Sequence, residues 1–157
     1  MTQIAPQEGL QGPQERLGPQ GRAPQGPVAE EPRTLTVTVT GPDKWLSSNG
    51  REHHMPRARA TKEWQLISQF RTRQAMRDTS TGQMGAAELD ITVHWPDKRR
   101  RDAHNTAPTW KAAIDGAVAA GLLADDSDRY LRAVTIRATV TAGTRPRMDM
   151  TWTEVGA

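Results

Sequence analysis

Residues 134–152 read VTIRATVTAGTRPRMDMTW, and this stretch decides the class of fold. Apolar residues occupy every second position over 134–140 and again over 148–152, which is the period of a half-buried β-strand. Residues 142–144, Ala-Gly-Thr, lie between the two runs and are typical of a hairpin turn. The stretch therefore predicts two antiparallel strands joined as a hairpin.

Two helical segments precede these strands. Residues 108–120 start with a proline, which suits a first helical turn, and Gly121 follows as a helix stop. Residues 56–76 also carry apolar side chains at three- and four-residue spacing, as an amphipathic helix does. The positions of this earlier helix that we expect to face the core are Ala60, Trp64, Ile67 and Phe70.

Two more strands alternate with the helices. Residues 34–40 place Leu35, Val37 and Val39 on one side and threonines on the other, and residues 88–95 alternate in the same way. The order is strand, helix, strand, helix, strand, strand. It predicts a single α+β domain, with a mixed or antiparallel sheet of about four strands and two main helices.

The first part of the chain has a different composition. Residues 1–33 are rich in Gln, Gly and Pro, and they offer too little apolar surface to offset the entropy lost on ordering. We expect a disordered tail over 1–33 and a folded domain over 34–157. The low apolar content of the 157-residue chain, 35%, agrees with this division.

Composition limits the chemistry that this chain can perform. It has no cysteine, which excludes disulfides, thiolate zinc sites and a cysteine nucleophile, and leaves oxygen ligands for a metal. The net charge of +3 permits nucleic-acid binding without demonstrating it. No apolar run approaches the roughly 18 residues of a membrane span, so we expect a cytoplasmic protein without a membrane partner.

Charged residues that could act together are concentrated between residues 98 and 128. Asp102 follows a strand and a basic run, and Lys111 and Asp115 are four apart on one helix face. Asp125 and Asp126 follow the helix stop and precede the next strand. In a compact domain a strand end, a helix face and a loop can converge on one pocket.

Such a set has the chemistry that phosphodiester cleavage requires. Clustered carboxylates repel one another until a divalent cation binds between them. The cation then activates water and neutralises charge on the scissile phosphate, and a nearby lysine stabilises the same charge. A basic run such as residues 98–101 can hold the flanking backbone of the nucleic acid.

Each piece also has an ordinary structural interpretation. The pair Asp125 and Asp126 alone is typical of a solvated loop, and Lys111 with Asp115 is typical of a surface ion pair. The run 98–101 is typical of an exposed turn, and His104 of a surface or capping histidine. Only the combination indicates a site.

The same residues resemble a known family. The sequence reads RRRDAHN over 99–105, KAAIDG over 111–116 and AGLLADD over 120–126. In order and spacing this resembles the RusA-type Holliday-junction resolvases, which are crossover-junction endodeoxyribonucleases often encoded by phages. The stretches NGREH (49–53) and TKEW (61–64) are similar to the loop and first helix of many relatives. The resemblance covers about residues 34–155.

The resemblance implies a function and a set of residues. It implies a homodimer that cuts four-way DNA junctions in recombination and repair, in a bacterial cell or a phage-infected host, with Mg²⁺ or, in its place, Mn²⁺. It matches Asp102 and Asp126 to the metal-binding catalytic aspartates and Lys111 to an essential lysine. Asp125 matches the first member of the acidic pair.

Two departures from the family pattern concern the ligand set. His104 stands where the pattern often has a second aspartate, and the gap from Asn105 to Lys111 is two residues longer than in the best-known members. Either Asp115 or Asp125 then supplies the third oxygen ligand, or His104 binds through nitrogen. The candidate metal ligands are Asp102, His104, Asp115, Asp125 and Asp126.

Three functional hypotheses follow. The first is the endonuclease, with DNA held by basic and polar side chains near the first helix and after the second strand. The second is a branched-DNA-binding protein with weakened catalysis, motivated by His104. The third is an adaptor that binds a partner through its tail. The candidate DNA-binding residues are Asn49, Arg51, His53, Arg57, Arg59, Lys62, Lys98, Arg99, Arg100 and Arg101.

Overall fold

A computed structural model describes residues 30–51 and 53–156 of the chain. Residues 1–29 of the predicted disordered tail therefore lie outside the described residues. The strands are β1 (Thr34–Val39), β2 (Ala87–Trp95), β3 (Leu131–Val140) and β4 (Arg147–Glu154). The helices are α1 (His54–Asp78) and α2 (Ala107–Ala119), and a 3-10 turn (Ala103–Thr106) precedes α2. The predicted α+β domain, with four strands in a mixed sheet and two main helices, is confirmed.

The strands follow the order β1-β4-β2-β3 across the sheet. β4 is antiparallel to both β1 and β2, whereas β2 and β3 are parallel. Parallel neighbours need a crossover connection, and α2 provides it between β2 and β3. The last strand of the chain thus occupies a central position in the sheet.

The predicted hairpin between the last two strands is wrong, because β2 separates β3 from β4. In its central position β4 buries Met148, Met150 and Trp152 completely. A hairpin with β3 would have placed these side chains beside a strand that is largely exposed. Alternation in the sequence identifies a strand, but it does not say which strand lies next to it.

The core lies between one face of the sheet and the two helices. Side chains such as Ile91 and Trp152 pack with Trp64 of α1 and Ala113 of α2 in one buried cluster. The helices approach closely, since a Cβ built on Gly116 would lie 2.4 Å from the Gln65 carbonyl oxygen. Small residues on both helices therefore permit this packing.

The buried face of α1 differs from the prediction at Phe70. Ala60 and Trp64 are buried as expected, but the buried row continues through Ser68 and Thr72. Phe70 is instead 60% exposed. The close approach of α2 explains the difference, because the hydroxyl of Ser68 donates a hydrogen bond of 2.6 Å to the Ala113 carbonyl. A bulky ring would not fit at that contact.

The two edge strands of the sheet are buried to different degrees. β1 alternates strictly between exposed and buried residues, and its buried side chains join the core. In β3 every residue after Leu131 is exposed except the half-buried Ile136. The apolar side chains of β3 point to the same face as the core residues of β2, because Ile136 is in register with Ile91.

Candidate active site

An open pocket of about 260 Å³ lies between α2 and β3. Three of the predicted site residues line it: Lys111 and Asp115 from α2, and Asp126 from the loop that follows. The walls are apolar and are formed by Trp110, Ile114, Leu131 and Val134. We call this cavity the α2–β3 pocket.

The helix and its C-terminal turn explain how the chain assembles this pocket. Lys111 and Asp115 are one turn apart on the exposed side of α2, as their spacing predicts. Gly121 ends the helix with φ +92°, a backbone conformation that suits glycine. The next residues, Leu122 and Leu123, are buried. They anchor the turn, so that Asp126 lies at the surface beside the start of β3.

Asp115 is positioned by a residue that the sequence analysis did not identify. The side-chain amide of Gln65 in α1 donates a hydrogen bond of 3.0 Å to Asp115 Oδ2. This bond links the pocket to the long helix and leaves Asp115 Oδ1 for another partner. No local sequence pattern points to Gln65, because the contact depends on how the two helices pack.

Asp125 interacts with its own loop and is not among the residues that line the pocket. Its Oδ1 accepts a hydrogen bond of 2.9 Å from the backbone N–H of Asp126. The Ser127 side chain and this N–H, both as hydrogen-bond donors, lower the pKa of Asp125. The carboxylate is therefore ionised at neutral pH and stabilises the loop that presents Asp126.

Asp102 lies in the connection between β2 and α2, directly before the 3-10 turn. It caps the 3-10 turn, because its Oδ1 accepts a hydrogen bond of 2.9 Å from the His104 backbone N–H. Asp102 and His104 are both exposed. Neither is among the residues that line the α2–β3 pocket.

The five predicted metal ligands are thus only partly brought together. Asp115 and Asp126 share the pocket, while Asp102, His104 and Asp125 lie outside its lining. Over residues 30–51 and 53–156, no group of three or more His, Asp or Glu side chains is arranged to hold a metal ion. Two carboxylates still suit Mg²⁺, which often binds one or two protein carboxylates and completes its shell with water and substrate phosphate.

The loop before α1 is hydrogen-bonded to the 3-10 turn that follows Asp102. The Asn105 carbonyl accepts a hydrogen bond of 2.9 Å from the Ser48 N–H, and Asn105 Oδ1 lies 3.4 Å from Asn49 Nδ2. Thr109 exchanges two side-chain hydrogen bonds with the backbone of Leu46. The predicted DNA-binding residue Asn49 is therefore a neighbour of the Asp102 turn.

The basic residues differ in how strongly the protein holds them. Arg57 donates a hydrogen bond of 3.2 Å to the Ser47 carbonyl, and Arg59 lies 3.4 Å from Glu63. The predicted DNA-binding residues that are exposed to solvent are Asn49, Arg51, His53, Arg59, Lys62, Lys98, Arg99 and Arg100.

Arg101 is bound within the protein rather than presented to solvent. Its guanidinium donates hydrogen bonds of 2.6 and 3.2 Å to the two oxygens of Asp97 and lies 4.6 Å from the centre of the Trp95 ring. The hydrogen bond from Arg101 lowers the pKa of Asp97 to about 2. We infer that Arg101 fixes the path of the chain before Asp102.

The basic run and the α2–β3 pocket both border β3. Arg99, Arg100 and Arg101 line a shallow pocket with Ala138 and Val140 at the end of the strand. Leu131 and Val134 at its start belong to the α2–β3 pocket. The exposed strand thus connects a cationic surface to the lysine and the two carboxylates.

Comparison of the sequence with known protein families and with curated proteins gave no match in either case. Within the described residues, no helix has the length and apolar character needed to cross a bilayer.

Proposed function

We propose that this protein is a divalent-metal-dependent endonuclease that cleaves branched DNA, as the resemblance to RusA-type resolvases implies. The observation that carries the proposal is the convergence of Lys111, Asp115 and Asp126 in the α2–β3 pocket. Lys111 and Asp115 come from one face of α2 and Asp126 from the loop after it, and the three meet in an open cavity. A basic run borders the same strand, where a phosphate backbone would approach.

The residues of the pocket have distinct roles in this proposal. Asp126 and Asp115 would hold Mg²⁺ or Mn²⁺, and Gln65 keeps the Asp115 carboxylate oriented. A bound divalent cation would supply the activation of water and the neutralisation of charge on the phosphate. Lys111 stabilises the negative charge that develops on the phosphate oxygens. The resemblance assigns Asp102 to the same chemistry.

Cleavage of a synthetic four-way junction by the purified protein in Mg²⁺ or Mn²⁺ tests the proposal. We expect Asp126→Asn and Lys111→Ala each to lower the cleavage rate by about 100-fold or more, because each loses a group that stabilises the transition state. Asp128→Asn is the matched control, since Asp128 is an exposed carboxylate of the same loop outside the pocket lining. Absence of cleavage with any divalent metal, or full activity in Asp102→Asn/Asp126→Asn, would contradict the proposal.

A second candidate is a branched-DNA-binding protein with weakened catalysis. The observation that favours it is that only two of the five predicted metal ligands line the pocket. This alternative predicts salt-sensitive junction binding that Asp126→Asn leaves unchanged, without cleavage. The same junction assay, followed by gel mobility as well as cleavage, separates the two candidates.

We also propose that the active form is a homodimer paired through β3. In support, the outer side of β3 has no strand neighbour in the described sheet, and its side chains are exposed on both faces. An unpaired strand edge is a template for another strand. An antiparallel pair centred on Ile136 would place Val134 opposite the partner subunit's Ala138. In that register no two arginines face each other directly.

A further inference from the structure

The outer face of α1 carries a continuous stripe of cationic and apolar side chains. Seven residues, all exposed, follow one another at three- or four-residue spacing and so lie on one side of the helix. We call this set the outer stripe: Met55, Arg59, Lys62, Leu66, Phe70, Arg73 and Arg77. It extends for about 33 Å at the rise of an α-helix.

The outer stripe is not needed to attach α1 to the domain. The opposite side of the helix does this with Ala60, Trp64, Ser68 and Thr72, which are buried. Phe70 nevertheless exposes 60% of its surface and Leu66 exposes 50%. Because the helix is anchored without them, these two side chains are available to a partner.

The order of residues along the stripe defines the chemistry of that partner. Leu66 and Phe70 form an apolar centre, with Arg59 and Lys62 before it and Arg73 and Arg77 after it. No residue of the stripe itself is a carboxylate, and Arg59 is paired with Glu63 beside it. Its partner must therefore offer negative charge on both sides of a flat or apolar group.

The second half of the stripe is continuous with an open cavity whose lining combines cationic and hydroxyl-bearing side chains with apolar ones such as Met76 and Ala120. Arg73 and Arg77 line an open pocket of about 400 Å³ together with Ser80 and Thr81. Arg73 also donates a hydrogen bond of 3.3 Å to the Ala119 carbonyl, which holds its guanidinium at the edge of this cavity. Two guanidinium groups and two hydroxyl-bearing residues are donors that suit phosphate oxygens.

We propose that the outer stripe binds the unstacked bases and flanking phosphates of a branched DNA. Phe70 stacks on a base exposed at the branch point, Leu66 packs beside it, and the four cations bind phosphates on either side. Fully paired duplex hides its bases, so the apolar centre distinguishes branched from unbranched DNA. A second copy of the chain is a poor occupant, because its stripe would oppose cation to cation.

The inference rests on the proposed function for its choice of DNA, but its test uses binding without cleavage. The full-length protein is titrated, in EDTA, against a labelled four-way junction and a duplex of the same length, and fluorescence anisotropy gives the dissociation constants. We expect Phe70→Ala to weaken junction binding about ten-fold, the order of one lost base stack, and duplex binding less than two-fold. Phe70→Tyr is the matched control and should retain junction affinity, because the aromatic face remains.

The cations make a different prediction. Arg73→Gln should weaken binding to junction and duplex alike and reduce the slope of log affinity against log salt by about one, since a phosphate contact is lost in both. Circular dichroism with thermal melting checks that each variant is folded.

Three results would overturn the inference. The first is unchanged junction affinity in Phe70→Ala, and the second is equal weakening for junction and duplex. The third comes from a parallel titration of vesicles of phosphatidylserine and phosphatidylcholine, and it is a Phe70→Ala defect in binding to the vesicles alone. The inference and the proposed nuclease function can fail separately. If Phe70→Ala loses its preference for the junction while the wild-type protein cleaves nothing with Mg²⁺ or Mn²⁺, the role of the stripe is supported and the nuclease function is contradicted.

Discussion

The two edges of the sheet, β1 and β3, differ in what covers them. β1 buries three of its six side chains under α1, and Arg33 beside it forms an ion pair with Glu154 of β4. β3 is longer, is exposed on both faces and borders the α2–β3 pocket and the basic run. The β1 edge is thus closed by the core, whereas the β3 edge leaves exposed the surfaces on which the proposed chemistry and assembly depend.

The helices explain this difference. α1 is long enough to pack against both β1 and α2. α2 presents small residues such as Ala112, Ala113 and Ala117 to the core, so it covers less area. The apolar row of β3 therefore stays partly exposed, with Val134 at 37% and Val140 at 46%.

The largest expected effect compares the same substitution on the two edges. Val37 is 2% exposed. Val37→Ala should lower the free energy of unfolding by about 2 to 3 kcal/mol, because two buried methyl groups are lost and a cavity remains. Val134→Ala should lower it by less than about 1 kcal/mol in dilute protein. Urea titration followed by tryptophan fluorescence measures both, and equal losses of stability would show that the two edges are buried alike.

A second prediction concerns assembly at the open edge. Val140→Lys should shift the protein from dimer to monomer, because in the proposed register the new charge faces the partner subunit's Arg132. Thr36→Lys is the control, since Thr36 is exposed on β1 and should leave the mass unchanged. Light scattering after size-exclusion chromatography gives the mass. A wild-type monomer at all concentrations would refute pairing through β3.

The smallest expected effect is the pH dependence of stability that two ion pairs contribute, Asp97 with Arg101 and Glu154 with Arg33. Hydrogen bonds from Arg101 lower the pKa of Asp97 to about 2, and hydrogen bonds from Arg33 and the Gly85 N–H lower that of Glu154. A lowered carboxyl pKa contributes stability at neutral pH, which is lost as pH falls through the folded-state value. For Asp97 that loss begins near the ordinary carboxyl pKa of 3.8 and is complete below about 2.

The measurement is thermal melting of Asp97→Asn, Glu154→Gln and wild type between pH 7 and pH 2. Each variant should melt slightly below wild type at pH 7, and the difference should shrink towards pH 2. At neutral pH Asp97→Asn should also weaken DNA binding, because Arg101 and the neighbouring run lose their anchor, whereas Glu154→Gln should not. Equal DNA affinity in both variants would contradict this role for Asp97.

Local sequence patterns predicted the elements of this fold well, and long-range contacts limited the rest. The strand and helix periods were correct within a few residues, and Gly121 ended α2 as expected. The hairpin prediction failed because pairing of β4 with β2 depends on side chains more than fifty residues apart in sequence, such as Leu89 and Trp152. The prediction that Phe70 faces the core failed because the close packing of the two helices places Ser68 at their interface instead.

The same distinction holds for the candidate site. The spacing of Lys111 and Asp115 predicted that they share a surface, since a helix fixes that relation. The placement of Asp126 beside them was expected from the order of elements. Asp102 and His104 lie outside that pocket's lining because the 3-10 turn directs them to solvent, and no periodic pattern encodes such a turn.

The central position of β4 has a consequence for the order in which the protein can form during synthesis. β1 has β4 as its only strand neighbour in the described sheet, and Thr34 is in register with Thr153. When a nascent chain has left the ribosome only as far as α2, β1 and β2 have no strand to pair with, because both lie next to β4 in the sheet. Completion is therefore a late, non-local event, and the interval before β4 emerges is when this chain is most exposed to aggregation.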